Sequence, residues 1–298
     1  MSDQISFQFT FQPDHPCNMW VLQLGGWLPI QFSGVGVMLV DRNVTAAMSK
    51  LLDRPDRTDM AAEKWWLSQL NSERYSLNSF LCASEGNLQK PPTLKEFRGE
   101  IEKANDIVSR SLPLARIVSH SPQDIIKSYE IVNSFFERQQ REVKFLSEIA
   151  PLLASRVSRA KTEGVERLVI QAAHSETLSL RSLVVLAALS CLYEPQDGKE
   201  PLTGRGVLKL KPKFSSADAY NALSDIRSLE FLVAASGLPS SSVGFCTRDR
   251  DLAAFWVGLE VSAPRSGGNK VTAELAPSAR LFPRLSEDEG KKLLIRFL

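Results

Sequence analysis

Four acidic positions in this chain stand where carboxylates can do chemistry. The apolar run Gly36-Val37-Met38-Leu39-Val40 stops on Asp41, and the run Val243-Gly244-Phe245-Cys246 is followed at once by Thr247-Arg248-Asp249-Arg250-Asp251. Each reads as a buried strand that delivers an acid to its C-terminal end. In open α/β sheets ligands bind at that edge. Two apolar helical stretches carry further acids, Glu85 on one and Asp218 or Asp225 on the other; the last two are seven residues apart, hence two turns apart on one face. Carboxylates crowded in one place repel each other, and hard divalent cations such as Mg²⁺ or Mn²⁺ relieve that repulsion by taking oxygen ligands. Metals held this way orient and deprotonate water and neutralise charge on a phosphodiester. The plain alternative for Asp41 is a helix cap acting through Thr45. His15, His120 and His174 fall in no catalytic motif, and neither G-x-G-x-x-G nor G-x-x-x-x-G-K-[ST] occurs.

The elements that must position these acids follow from periodicity. Phe7, Phe9 and Phe11 alternate with polar residues, and Trp27 to Phe32 is a second extended piece, so an N-terminal β extension over 1–35 is expected beside the main sheet. Val44, Met48, Leu51 and Leu52 continue Asp41 into a helix, and a second helix carries Trp65, Trp66 and Leu70. Leu77 to Asn87 reads as an apolar helix ending near Glu85, and Thr93 with Glu96 forms a capping box. From Gln123 to Lys161 a long helical tract buries Ile125, Tyr129, Val132 and Phe136 and presents Arg138, Arg141, Lys144, Arg156, Arg159 and Lys161 outward, part of a helical insertion over 120–195. Leu178 to Tyr193 reads as a buried helix. It is too short for a bilayer span of roughly 20 apolar residues. Glu194 to Gly206 reads as a loop, Val207 to Lys213 as a strand with a lysine face, Ala217 to Ala235 as a helix capped by Ser215-Ser216, and Leu252 to Val257 as another. A glycine- and proline-rich loop and a final helix from Ser286 to Phe297 close the chain.

The composition, 43% hydrophobic and 23% charged over 298 residues, supports a full core in an ordinary folded protein. With 36 basic and 34 acidic residues, any nucleic-acid surface has to be local. Cys17, Cys82, Cys191 and Cys246 are widely spaced, which points to reduced thiols in the cytoplasm rather than a zinc site. No secretory leader pattern opens the chain.

Three of these stretches resemble the PIN-domain nucleases. Val37 to Val44 looks like that family's first strand with its acid, Ala217 to Gly237 with Asp225 like the helix holding its third acid, and Phe245 to Leu252 like the closing strand with its Thr-x-Asp signature. The likeness covers about a third of the chain and implies a three-layer α/β sandwich with a central, mostly parallel sheet, forming one PIN-like domain over 1–298 enlarged by the helical insertion. It implies Mg²⁺- or Mn²⁺-dependent phosphodiester hydrolysis, on RNA rather than DNA, by Asp41, Glu85, Asp225 and Asp249. Asp218 competes with Asp225, and Asp251 is an outer ligand or a cap. Thr247 and Asn43 support the site, while Arg42, Arg248, Arg250 and Lys211 meet the nucleic-acid backbone. The insertion offers a surface to a protein partner or a second copy, and no membrane is involved. Two other readings stand beside this one. One is a PIN-like scaffold that has lost catalysis. The other resembles the haloacid-dehalogenase-like phosphohydrolases, with Asp41 as nucleophile, although that family's second acid is replaced here by Asn43.

Overall fold

The computed structural model describes residues 14–85, 91–195, 203–238, 242–267, 270–278 and 280–296. Strands β1 (Trp20–Gln23) and β2 (Gly26–Leu28) form a hairpin, with Gly25 and Gly26 at φ of 85° and 138°, where side chains are strained. A 3₁₀ turn at Ile30–Phe32 leads into β3 (Val37–Val40), followed by α1 (Arg42–Asp53), α2 (Ala61–Leu70), β4 (Ser76–Asn78), α3 (Phe80–Ser84), α4 (Leu94–Ser111) and β5 (Arg116–Ile117). A helical stretch comes next, made of α5 (Pro122–Ser134), α6 (Phe136–Leu153), α7 (Thr162–Ser175), α8 (Leu183–Leu192), α9 (Thr203–Leu208) and α10 (Ser216–Ser236). The chain then runs through β6 (Val243–Thr247), α11 (Arg250–Leu259), β7 (Val261–Gly267), β8 (Lys270–Leu275) and α12 (Glu287–Ile295).

Six strands make one mixed sheet in the order β2-β1-β6-β3-β4-β5. β3 runs parallel to both neighbours, β6 and β4, and β5 extends the parallel part; β1 is antiparallel to β6. From β3 the chain moves outward through β4 to β5, then returns over the helices to β6 on the other side of β3. The strand order therefore reverses between β3 and β6, the point at which open α/β sheets form a crevice beyond their strand ends.

Side chains of a strand alternate between the two faces. Met38 and Val40 of β3, Val21 of β1 and Cys246 of β6 enter one core with Val44, Met48, Trp66 and Val108. Leu39, Trp20, Leu22 and Phe245 enter a second, larger core built with α3 and α5 to α11. Helices thus cover both faces, and the sheet is the middle layer. The helices of 120–195 share the larger core with the strands, and every residue of α8 is buried.

Several elements differ from the sequence expectation. Ile5 to Phe11 lies outside the described residues. Of the Trp27–Phe32 piece only Trp27 and Leu28 are strand, and β1 ties them into the main sheet rather than beside it. Leu77 belongs to β4: it is fully buried and pairs with Met38, and Asn78 Oδ1 then accepts the Phe80 amide at 2.9 Å to start α3. The long tract breaks at Phe135, whose ring packs edge-on against Phe231 at 5.1 Å. Arg138 is only partly exposed and is held by two carboxylates. It reaches Glu142 at 2.7 Å and Glu230, while Arg227 reaches Gln139 at 3.0 Å and Glu142 at 3.6 Å, which pins α6 to α10.

The expected lysine-faced strand over Val207 to Lys213 is instead the end of α9 and an irregular segment. Its glycines serve close packing rather than a turn. A Cβ on Gly204 would lie 2.0 Å from Ala187 O, and one on Gly206 would lie 2.1 Å from Asp251 Cγ. The C-terminal loop is in part a two-stranded hairpin, β7 with β8, whose irregular register at Ser262 to Arg265 and Ala263 at φ 45° hide its strand period.

Candidate functional site

The site begins where β3 and β6 end side by side. Their register pairs Val40 with Cys246, and the Asp41 amide donates to Cys246 O at 3.0 Å. Asp41 holds the N-cap position of α1, but its side chain makes no cap hydrogen bond. Thr45 turns away to donate to Arg42 O at 3.0 Å. Asp41 Oδ2 instead accepts from Asn43 Nδ2 at 2.7 Å and from the buried Thr247 hydroxyl. Asn43 also donates to Thr247 Oγ1 at 3.2 Å and accepts the Arg248 amide at 2.9 Å, and the Asp249 amide donates to Thr247 Oγ1 at 3.0 Å. This network fixes both strand ends and aims Asp41 away from its own helix.

The other acids come from three further elements. Glu85 closes α3, and its carbonyl accepts from the Tyr220 hydroxyl at 2.6 Å, which fastens α3 to α10. Asp225 lies in the third turn of α10. Asp249 caps α11 through Oδ1, which accepts the Leu252 amide at 2.9 Å. Between Asp225 and Asp249 sits a cation: Lys209 Nζ is 3.1 Å from Asp225 Oδ2 and 3.3 Å from Asp249 Oδ2.

Burial and mutual repulsion strain this group. Burial pushes Asp41 up to about 6, with Asp249 adding to the rise, and the Thr247 hydroxyl and the amides of Asn43 and Arg42 lie close enough to pull back. Burial also raises Asp225 to about 7; Lys209 opposes the rise, and Asp41 and Asp249 reinforce it. Glu85 is held well above its usual range by burial, then by Asp41 and Asp225, against the charge of Arg42. Burial works against the Lys209 ammonium, yet Asp225 and Asp249 outweigh it and hold its pKa above the ordinary lysine value. The ionised carboxylates are thus under-compensated.

Hard oxygen donors of this kind match Mg²⁺ or Mn²⁺. Among the described residues, no group of three or more His, Cys, Asp or Glu side chains is set to hold one ion, although the Glu85 and Asp41 carboxyls lie within hydrogen-bond reach of each other. Lys209 occupies the gap between Asp225 and Asp249.

The remaining predicted residues are placed as follows. Asp218 stands apart: it completes the capping box of α10 with Ser215 and pairs with Lys211 at 2.9 Å, which holds its carboxyl down at about 2. Asp251 lies in the first turn of α11 against Gly206. Arg248 forms an ion pair with Glu63 of α2, so its guanidinium is engaged inside the protein, whereas Arg250 is exposed. Lys209 is the residue that sequence reasoning missed. Its only signal was a place in the alternating run Val207 to Lys213, which suggested an outer strand face.

Compared with models of known protein families, with characterised proteins and with solved structures, the chain matches none. The fold is mixed α/β with a mostly parallel central sheet, and the buried Asp41 stands at its switch point beside partly exposed acids. Among the described residues, no helix is long and apolar enough to cross a membrane.

Proposed function

We propose that this chain is a PIN-like, Mg²⁺- or Mn²⁺-dependent nuclease that hydrolyses phosphodiester bonds, RNA ahead of DNA, in the cytoplasm. The observation that carries the reading is the rise of Asp41, Glu85 and Asp225 together, on elements converging at the β3/β6 switch point, with one ammonium among them. A buried carboxylate group that costs the fold stability is explained by a cationic ligand that it binds. Asp41, Glu85, Asp225 and Asp249 are the residues that hold the ion, which when bound supplies an activated water and neutralises charge on the phosphate.

The chain's own groups do the rest. Thr247 and Asn43 keep Asp41 ionised and oriented. Arg250 and Arg42, next to Asp249 and Asp41 in the chain, would meet the phosphate backbone, whereas Lys211 is paired with Asp218 and Arg248 braces the strand end against α2 through Glu63. The free thiols Cys82, Cys191 and Cys246 are buried, as suits a reducing compartment.

The test is cleavage of single-stranded RNA with Mn²⁺ and with chelator, by the wild type and by Asp41→Asn. Mn²⁺-dependent cleavage that the variant lacks supports the reading, and cleavage that survives the variant refutes it. A second reading, a PIN-like scaffold without catalysis, draws on Lys209 standing between Asp225 and Asp249. It expects neither cleavage nor metal binding at any Mn²⁺ concentration.

A further inference from the structure

The Arg227 guanidinium, carried by α10, is more deeply buried than its own hydrogen bonds explain. The residue is 8% exposed. Nη1 donates to Gln139 Oε1 at 3.0 Å, and Cζ lies over the Phe136 ring, 5.5 Å from its centre. Glu142 Oε2 stands 3.6 Å from Nη2, close enough for charge attraction and too far for a hydrogen bond. Nε and Nη2 are thus buried donors without an acceptor in the chain. Buried donors of folded proteins are nearly always satisfied, by the chain itself or by ordered water. The same guanidinium lines a small recess where α3, α5, α6 and α10 meet. Val132, Phe136 and Phe231 make its apolar wall, and Ser84, Glu85 and Ser224 its polar one. The Ser84 hydroxyl donates to Leu81 O at 2.9 Å, which leaves its lone pairs free to accept. The open volume is about 10 Å³, room for a single water molecule.

We propose that this recess is the binding site of one structural water molecule, which accepts from the Arg227 guanidinium and donates to oxygens among Ser84, Glu85 and Ser224. The chemistry of the walls selects water over an ion. A cation is repelled by the guanidinium at close range. Chloride is larger than water, offers no donor to the facing oxygens, and meets the charge of Glu142 beside Arg227. Water accepts and donates in the same place, and a bridging water is nearly as good as a direct hydrogen bond. Bound there, it ties the end of α3 to α10, next to the bond from the Tyr220 hydroxyl to Glu85 O at 2.6 Å. The inference does not depend on what the acids bind.

The experiment is a crystal structure of the full chain at a resolution that shows ordered water, with a second crystal soaked in bromide. The proposal expects one density peak about 2.7–3.2 Å from Arg227 Nε or Nη2 and no anomalous signal there after the soak. An empty or collapsed recess overturns it, and so does a peak that bromide replaces. In solution, magnetisation transfer from water to the Arg227 Nε–H, read by NMR on the full chain with labelled arginine, gives the same decision. Transfer with the sign of a long-lived water is expected in the wild type, and it should disappear in Ser84→Val, whose methyl groups fill the recess. Absence of transfer in the wild type, or transfer unchanged in Ser84→Val, overturns the site. Should Ser84→Val fail to fold, the wild-type crystal peak decides alone.

Discussion

Replacing Asp41 with asparagine should make the metal-free protein more stable at pH 8. Asp41 is 5% exposed, and its carboxyl titrates at about 6 in the fold against 3.8 for an ordinary aspartate. At about 1.4 kcal/mol per pH unit, keeping it ionised in the folded protein costs up to ~3 kcal/mol. The sign follows from proton linkage. A raised carboxyl contributes stability that is fully present below the unfolded value, near 4, and that is lost as pH rises through about 6. The new amide keeps an oxygen for Thr247 and Asn43, which both donate to a single oxygen now, and it gains N–H donors toward Glu85. Part of the relief goes to the weaker hydrogen bonds of a neutral acceptor, leaving a gain of about 1–2 kcal/mol and a Tm higher by roughly 2–5 °C at pH 8. Urea and thermal unfolding at pH 4 and pH 8, in chelator, give the readout. The gain should nearly vanish at pH 4. A variant destabilised at pH 8, or a pH-independent effect, refutes the reasoning and makes Asp41 a structural residue.

Two further substitutions probe the surroundings. Thr247→Val removes the hydroxyl that donates to Asp41 and accepts the Asp249 amide, so unfolding should show a loss of about 1–3 kcal/mol, larger at pH 8 than at pH 4 because the lost bond favours the ionised acid. Glu142→Ala, at a side chain only 3% exposed, leaves Arg227 without its carboxylate partner; because Arg138 retains Glu230, a loss of about 3 kcal/mol in urea unfolding is expected, and no loss would show that the ion pairs are dispensable.

What could be read from the sequence was whatever local chemistry determines. The strand ending at Asp41, the helix capped at Ser215-Ser216 and the strand running into Thr247 were legible because an apolar run with a polar boundary is a local signal, whereas the cap on α11 falls to Asp249 and not to Asp251. Glu85, placed at the end of an apolar helix, does close one, though that helix is shorter than expected. Long-range partners left no such trace. Arg138 sits at solvated-face spacing on α6, yet it pairs with Glu230, 92 positions away. Gly204 and Gly206 look like turn residues because sequence shows their missing side chains but not the helices packed against them. Lys209 was hidden for the same reason: its register is set by α9, and α9 exists because of that packing.

The central claim is that the strained carboxylates are there to bind a divalent ion, and calorimetric titration of Mn²⁺ into the wild type and Asp41→Asn at pH 8 tests it most directly. The account predicts saturable binding at up to millimolar Mn²⁺ that Asp41→Asn abolishes while remaining folded. Absence of saturable binding in the wild type, or binding that survives in Asp41→Asn, would contradict it.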